Sequence, residues 1–134
     1  MICYNLLEKK HEYFYVFFRI MVGLLFFEHG AQKLFGLFGA KASVSMFSLM
    51  WFVGIIEFFG GLLIAAGLLT RLAAFASSIV MAGAFITAHL PHGWIPIMNK
   101  GELALVYFAS FIFILAKGGG KVSLEKVWID KEIF

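Results

Sequence analysis

Cysteine and proline are scarce in this chain, and charge is thin. Cys3 is the only cysteine among 134 residues. An internal disulfide is therefore excluded, as is a Cys-x-x-Cys redox pair, so any thiol chemistry needs a partner protein. Cys3 itself reads as an inert residue in a mobile N-terminus. The two prolines, Pro91 and Pro96, fall in one short stretch and mark a stiff connection. Charged residues make up 14% of the chain, against about 25% in a soluble domain. No linker, charge block or low-complexity tract divides the sequence, which reads as a single domain over residues 1–134. Nucleophile motifs, phosphate-binding loops and dinucleotide glycine patterns are missing as well.

Apolar bulk is what the chain has instead. Hydrophobic residues reach 62% and mean hydropathy is +0.93. A globule of this length cannot hide such an excess, so lipid must solvate much of the surface. The net charge of +3 does not point to nucleic acid. The lysines flank apolar spans, and no basic face with interleaved aromatics is present. A cleavable signal peptide is not expected. Lys9 and Lys10 precede a long apolar segment without a small-residue cut site, which suits an uncleaved signal anchor.

Four spans are expected near residues 13–36, 47–69, 72–90 and 100–117. Open strands are excluded in lipid, and the alternation of barrel strands is missing, so the spans are helices. The fold class is all-α: an antiparallel four-helix bundle in the membrane. Thr70-Arg71 reads as a tight turn that makes the second and third helices neighbours. Residues 118–120, all glycine, end the fourth. Lys9, Lys10, Arg71, Lys117, Lys121, Lys126 and Lys131 fall on one side, with Arg19 just inside it; Lys33, Lys41 and Lys100 fall on the other. The excess places both termini in the cytoplasm. The tail, residues 118–134, lies on the membrane surface as an amphipathic segment or frays.

The ionisable residues within these spans are the functional clue. Arg19, Glu28, His29, Lys33, Glu57, His89 and Glu102 sit inside or at the edges of apolar runs, where charge is costly and generally functional. With this topology, groups from all four helices converge on the outer half of the bundle. Arg19, Gly23, Phe26, Gly30 and Lys33 share one face of the first helix, and Gly54, Glu57 and Gly61 share one face of the second. The glycines on those faces permit close helix approach. Ser78, Ala82, Phe85 and His89 line the third. Glu28 points away from the Arg19 face, toward headgroups, another subunit or Gln32.

Several chemistries fit such a site. His29, Glu57, His89 and Glu102 are a weak metal set, since no local ligand spacing supports them. Haem would need His29 and His89 opposed at matched depth. A quinone needs an apolar slot with donors at its carbonyls and a proton exchanger, which a histidine beside a carboxylate supplies. His29 and Glu57 are the proton-relay candidates; Arg19, Gln32, Lys33, His89 and Glu102 are the ligand-binding candidates. Plain structural readings stand beside these. Glu57 could form a fold-locking ion pair, Arg19 and Lys33 could snorkel to headgroups, and His89 and His92 could be loop residues.

The motifs resemble a known family. RIMVGLLFFEHGAQKLF (residues 19–35), IEFFGG (56–61), GLLTR (67–71), Thr87-Ala88-His89 with Gly93, GELAL (101–105) and GGGKVSL (118–124) occur in this order. Together they are similar to DoxX, a family of small bacterial four-helix membrane proteins. The resemblance implies an inner-membrane protein with redox associations: a subunit of thiosulfate:quinone oxidoreductase, or a membrane partner in oxidative-stress complexes. It would make Arg19, His29, Lys33, Glu57, Arg71, His89 and Glu102 the positions to test. The expected function is a redox-linked, quinone-interacting membrane subunit, with a redox partner protein and self-association as expected partners. A non-enzymatic assembly subunit with structural ion pairs is the alternative. The chain departs from the redox-active image in lacking paired cysteines and in placing Glu28 before His29.

Overall fold

The computed structural model describes residues 2–129, with side chains from Lys10 onward. Lys131 and the end of the tail lie outside the described residues. Every regular element described is helical: α1 (Ile2–Phe35), α2 (Leu49–Ala66), α3 (Thr70–Ala84), the four-residue α4 (Pro96–Asn99), α5 (Glu102–Lys117) and the short α6 (Leu124–Ile129). Between α3 and α4 the chain runs through a π-helical turn, Phe85–His89, and a 3-10 turn, Leu90–His92. Three stretches are long and apolar enough to cross a membrane: Lys10–Phe35, Leu49–Ala66 and Thr70–His92.

Two boundaries differ from the sequence reading. α1 starts at Ile2, well before residue 13, so Cys3 belongs to a helix. The turn between α2 and α3 is earlier than Thr70-Arg71. Gly67 takes φ 73°, which glycine adopts without strain, and its N–H returns to the Leu63 carbonyl at 2.9 Å. Thr70 and Arg71 therefore form the first turn of α3. At its other end, α2 is capped by the Ser48 hydroxyl, which accepts from the Trp51 N–H at 3.2 Å.

Glycine sets how the helices pack. α1 and α2 lie backbone to backbone along Gly23, Gly30 and Gly61. A methyl group added at Gly23 would stand 2.6 Å from the Ala65 nitrogen, and one at Gly30 would collide with the Phe58 backbone. By contrast, α1 meets α5 through rings: Phe26 packs on Phe111 at 4.6 Å and on Tyr107 at 5.4 Å between centroids. Ile64, Ala74, Met81 and Ile114 complete the core. Gly30→Ala is accordingly expected to destabilise by about 1–3 kcal/mol through overpacking. Gly83→Ala meets open space within α3 and should be neutral or gain up to about 1 kcal/mol from helix propensity. Denaturant unfolding of the two variants in micelles would separate these effects.

The start of the span in α1 and the end of α5 lie at the same end of the molecule. Lys117 pairs with Glu12 at 2.7 Å, and the Tyr15 hydroxyl donates to the Gly118 carbonyl. The tail then folds back over this end. Arg19 is 1% exposed and donates to the carbonyls of Ile64 at 2.6 Å and Val122 at 2.8 Å. The fully buried Glu125 accepts from the Thr70 N–H at 3.3 Å, and its own N–H donates to Gly67. Leu69 precedes α3 without any side-chain cap, so the tail carboxylate caps that helix from a distant part of the chain. Val127 and Trp128 on α6 remain exposed.

Candidate functional site

At the opposite end the helices part around a cavity of about 230 Å³. α1 contributes Phe26, His29 and Lys33, α2 Glu57, α3 with its π turn Met81, Ala84 and His89, and the α4–α5 region Lys100, Leu103, Ala104 and Tyr107. Glycine again explains the geometry. Close approach at Gly30 brings Lys33 one turn onward against Gly54 and Glu57. The Lys33 ammonium and the Glu57 carboxylate stand 2.6 Å apart, with side chains 25% and 4% exposed. A buried ion pair of this kind is stable only while both partners remain.

The two histidines differ in their ties. His29 rests edge-on against the Tyr107 ring at 5.8 Å between centroids. His89 lies across Phe85, and its Nδ1 is 3.0 Å from the Asn99 carbonyl. Asn99 is itself buried. Its amide donates to the Gly93 carbonyl at 2.7 Å, and its side-chain oxygen accepts from the Gly101 N–H at 2.8 Å. The π turn widens the helix at this point, and such turns concentrate at functional sites.

Of the candidates read from the sequence, the structure gathers His29, Lys33, Glu57 and His89 in one chamber and leaves three elsewhere. Arg19 shares a helix face with Lys33, but fourteen residues at about 1.5 Å each separate them by about 21 Å along the axis. It serves the tail, not the chamber. Gln32 turns to the loop and donates to the Phe38 carbonyl at 3.4 Å. Glu102 is exposed in the first turn of α5, where a carboxylate favours the helix dipole. With Glu102 outside, the four-residue metal set is not assembled. Among the described residues no group of three or more His, Cys, Asp or Glu side chains could hold a metal ion. Glu28 is exposed, Arg71 lies at the tail end in α3, and the exposed His92 bonds back to the Ala88 carbonyl at 3.1 Å.

Tyr107, Lys100 and Asn99 were not among those candidates. Tyr107 had a signal. It is the one tyrosine in the middle of an apolar span, whereas membrane tyrosines favour the interfaces.

The chamber's composition sets what it can hold. Its walls are apolar and aromatic, and its polar groups come from four separate helical segments. An engineered cavity of about 150 Å³ takes up benzene, so this one accommodates a single substituted ring. It offers cationic donors at Lys33 and Lys100, a carboxylate at Glu57, imidazoles at His29 and His89, and the Tyr107 hydroxyl. Groups of these kinds can donate to and accept from ring oxygens, and imidazole and carboxylate are proton-exchanging groups.

Apolar helices of membrane-crossing length around a polar chamber make this a helical membrane protein. A family model described as DoxX matches residues 14–90, more than half of the sequence, and the chain belongs to that family. The chain is 36% identical over 134 residues to a Haemophilus influenzae strain Rd protein named "Uncharacterized protein", covering 95% of this chain and 99% of the relative. It is 28% identical over 123 residues to the Bacillus subtilis strain 168 protein named "Putative oxidoreductase CatD", covering 89% of this chain and 90% of that one. No solved structure matches the chain.

Proposed function

We propose that the protein is a redox-linked subunit of the bacterial inner membrane whose chamber binds the headgroup of a quinone. The observation that carries this reading is the ring-sized cavity, in which Lys33, Glu57, His29, His89 and Tyr107 line one apolar slot. A quinone when bound would supply the electron chemistry. Lys33 and Tyr107 donate toward a carbonyl oxygen, and His29 and Glu57 exchange protons with the ring oxygens. Phe26, Met81 and Leu103 exclude water from the ring. The name of the Bacillus subtilis relative agrees with a redox role.

The membrane arrangement belongs to the same reading. α5 is about 24 Å long, short for a span, but the Lys117–Glu12 pair brings its end back to the start of the span in α1. Four crossings with both termini on one side satisfy that contact, and the lysine excess places that side in the cytoplasm. The chamber then lies toward the outer surface, where a redox partner protein would dock. The alternative, a non-enzymatic assembly subunit with structural ion pairs, has the Lys33–Glu57 pair in its favour. Gly23, Gly30 and Gly61 are used up between α1 and α2 and are not offered to a partner.

Binding of a short-chain quinone to the purified protein in nanodiscs, measured by calorimetry, tests the reading. His29→Ala and Glu57→Gln are each expected to weaken binding about tenfold or more. Unchanged affinity in both would overturn it.

A further inference from the structure

Resting on that reading, we infer that His89 is a one-sided hydrogen-bond acceptor, set by Asn99, that selects the hydroxylated, reduced form of the ring ligand. The Asn99 carbonyl has no hydrogen to give, so the Nδ1 atom 3.0 Å away must donate. In the neutral imidazole the proton then resides on Nδ1, and Nε2 carries only a lone pair. Nε2 has no protein partner among the described residues, and His89 lines the cavity. His89 also borders a second cleft with His92 and Met98; on this inference its bare acceptor serves the chamber, where Lys33 supplies an ammonium.

A ring hydroxyl donates to such an acceptor. A quinone carbonyl in the same place would set two lone pairs against each other. Hydroxyl-bearing rings are accordingly the ligand class that the His89 wall recognises, with their second oxygen toward Lys33 or Tyr107.

Asn99 is the positioning residue. Its side chain ties the loop on both sides, to Gly93 and to Gly101. Those ties hold the backbone carbonyl at the imidazole edge. Phe85, lying across the ring in the same π turn, restrains its tilt. None of this requires the side chain of Asn99 to touch the ligand.

The test uses the full-length protein in nanodiscs with histidine labelled by nitrogen-15. In the ligand-free protein at alkaline pH, His89 should give the Nδ1–H tautomer signature, and Asn99→Leu should return it to the mixture of a free imidazole. Hydroquinone should bind about tenfold more tightly than 1,4-dimethoxybenzene or benzoquinone. His89→Phe, which keeps an aromatic ring at the wall, should abolish that preference. An Nε2–H signature for His89, or equal binding of all three rings to the unaltered protein, overturns the inference and leaves the quinone reading standing. Failure of all three rings to bind, in a protein whose His89 tautomer is as expected, removes the quinone reading and the ligand selection with it.

Discussion

Replacing Lys33 with methionine is expected to lower stability by about 3–5 kcal/mol, the range for breaking a buried pair from one side. The reason is the asymmetry between the partners. The Glu57 side chain is only 4% exposed, and Lys33 is its sole salt-bridge partner among the described residues. Without the ammonium, a carboxylate is left among Phe26, Met81 and Tyr107 with little water. Glu57→Gln should cost less. Lys33 is 25% exposed, and its long stem can carry the ammonium toward the chamber mouth and headgroups. The Lys33→Met, Glu57→Leu double variant should recover much of the loss, because no charge is then buried. Unfolding midpoints of the four proteins in one micelle system measure the cycle. Additive losses in the double variant would mean that the pair contributes nothing as a pair.

This cycle also separates stability from ligand binding. The double variant keeps the helix packing but loses the Lys33–Glu57 pair, leaving Lys100 as the remaining lysine of the chamber. It should be folded and unable to bind a ring ligand tightly, whereas Gly30→Ala weakens the fold without removing any chamber group.

Much of the helical framework could be read directly from the residues. The Ser48 cap and the Gly67 stop are local signals missing from the sequence reading, which sets the turn at Thr70-Arg71, whereas the glycines at residues 118–120 are an equally local stop signal that holds. The Gly30–Lys33 and Gly54–Glu57 faces likewise foretold where α1 and α2 touch, since a face follows from spacing alone. Depth was harder. Arg19 and Lys33 lie on one stripe but at opposite ends of it, and only the assembled helices show which partner each meets. The π turn at Phe85–His89 leaves no periodicity of its own, because it inserts a single wide turn into a regular pattern. Lys100 reads as a flanking charge, and Tyr107 sits within an apolar run. Glu125 was the least legible of all. The tail reads as a surface segment or a frayed end, whereas Glu125 is buried beside the Thr70 N–H and the Arg19 charge, both far away in the sequence.

Arg19→Met should release that tail and cost at least as much as the loss of Lys33. The guanidinium donates from two nitrogens to two carbonyls on different segments, Ile64 at the end of α2 and Val122 in the tail. A thioether replaces neither bond; the Ile64 carbonyl keeps the Gly67 N–H at 3.2 Å, whereas loss of the donor to the Val122 carbonyl adds roughly 1–3 kcal/mol. Glu125 would lose its nearby cation while remaining buried, and a tail that swings out to solvate it also uncaps α3. Arg19→Lys is not a rescue. A single ammonium cannot reach both carbonyls in the forked geometry of arginine. Limited proteolysis after Lys121 and Lys126 reads the outcome. The unaltered protein should resist cleavage there, and Arg19→Met and Arg19→Lys should both be cut. Glu125→Gln, which keeps an oxygen for the Thr70 N–H, should fall between them and the unaltered chain. Protection of the tail in the arginine variants would show that the docking depends on contacts other than this guanidinium. The chamber lies at the far end of α1, so short-chain quinone affinity should be unaltered in whatever fraction of Arg19→Met remains folded. A proportional loss of affinity would instead tie the tail to the site through α1.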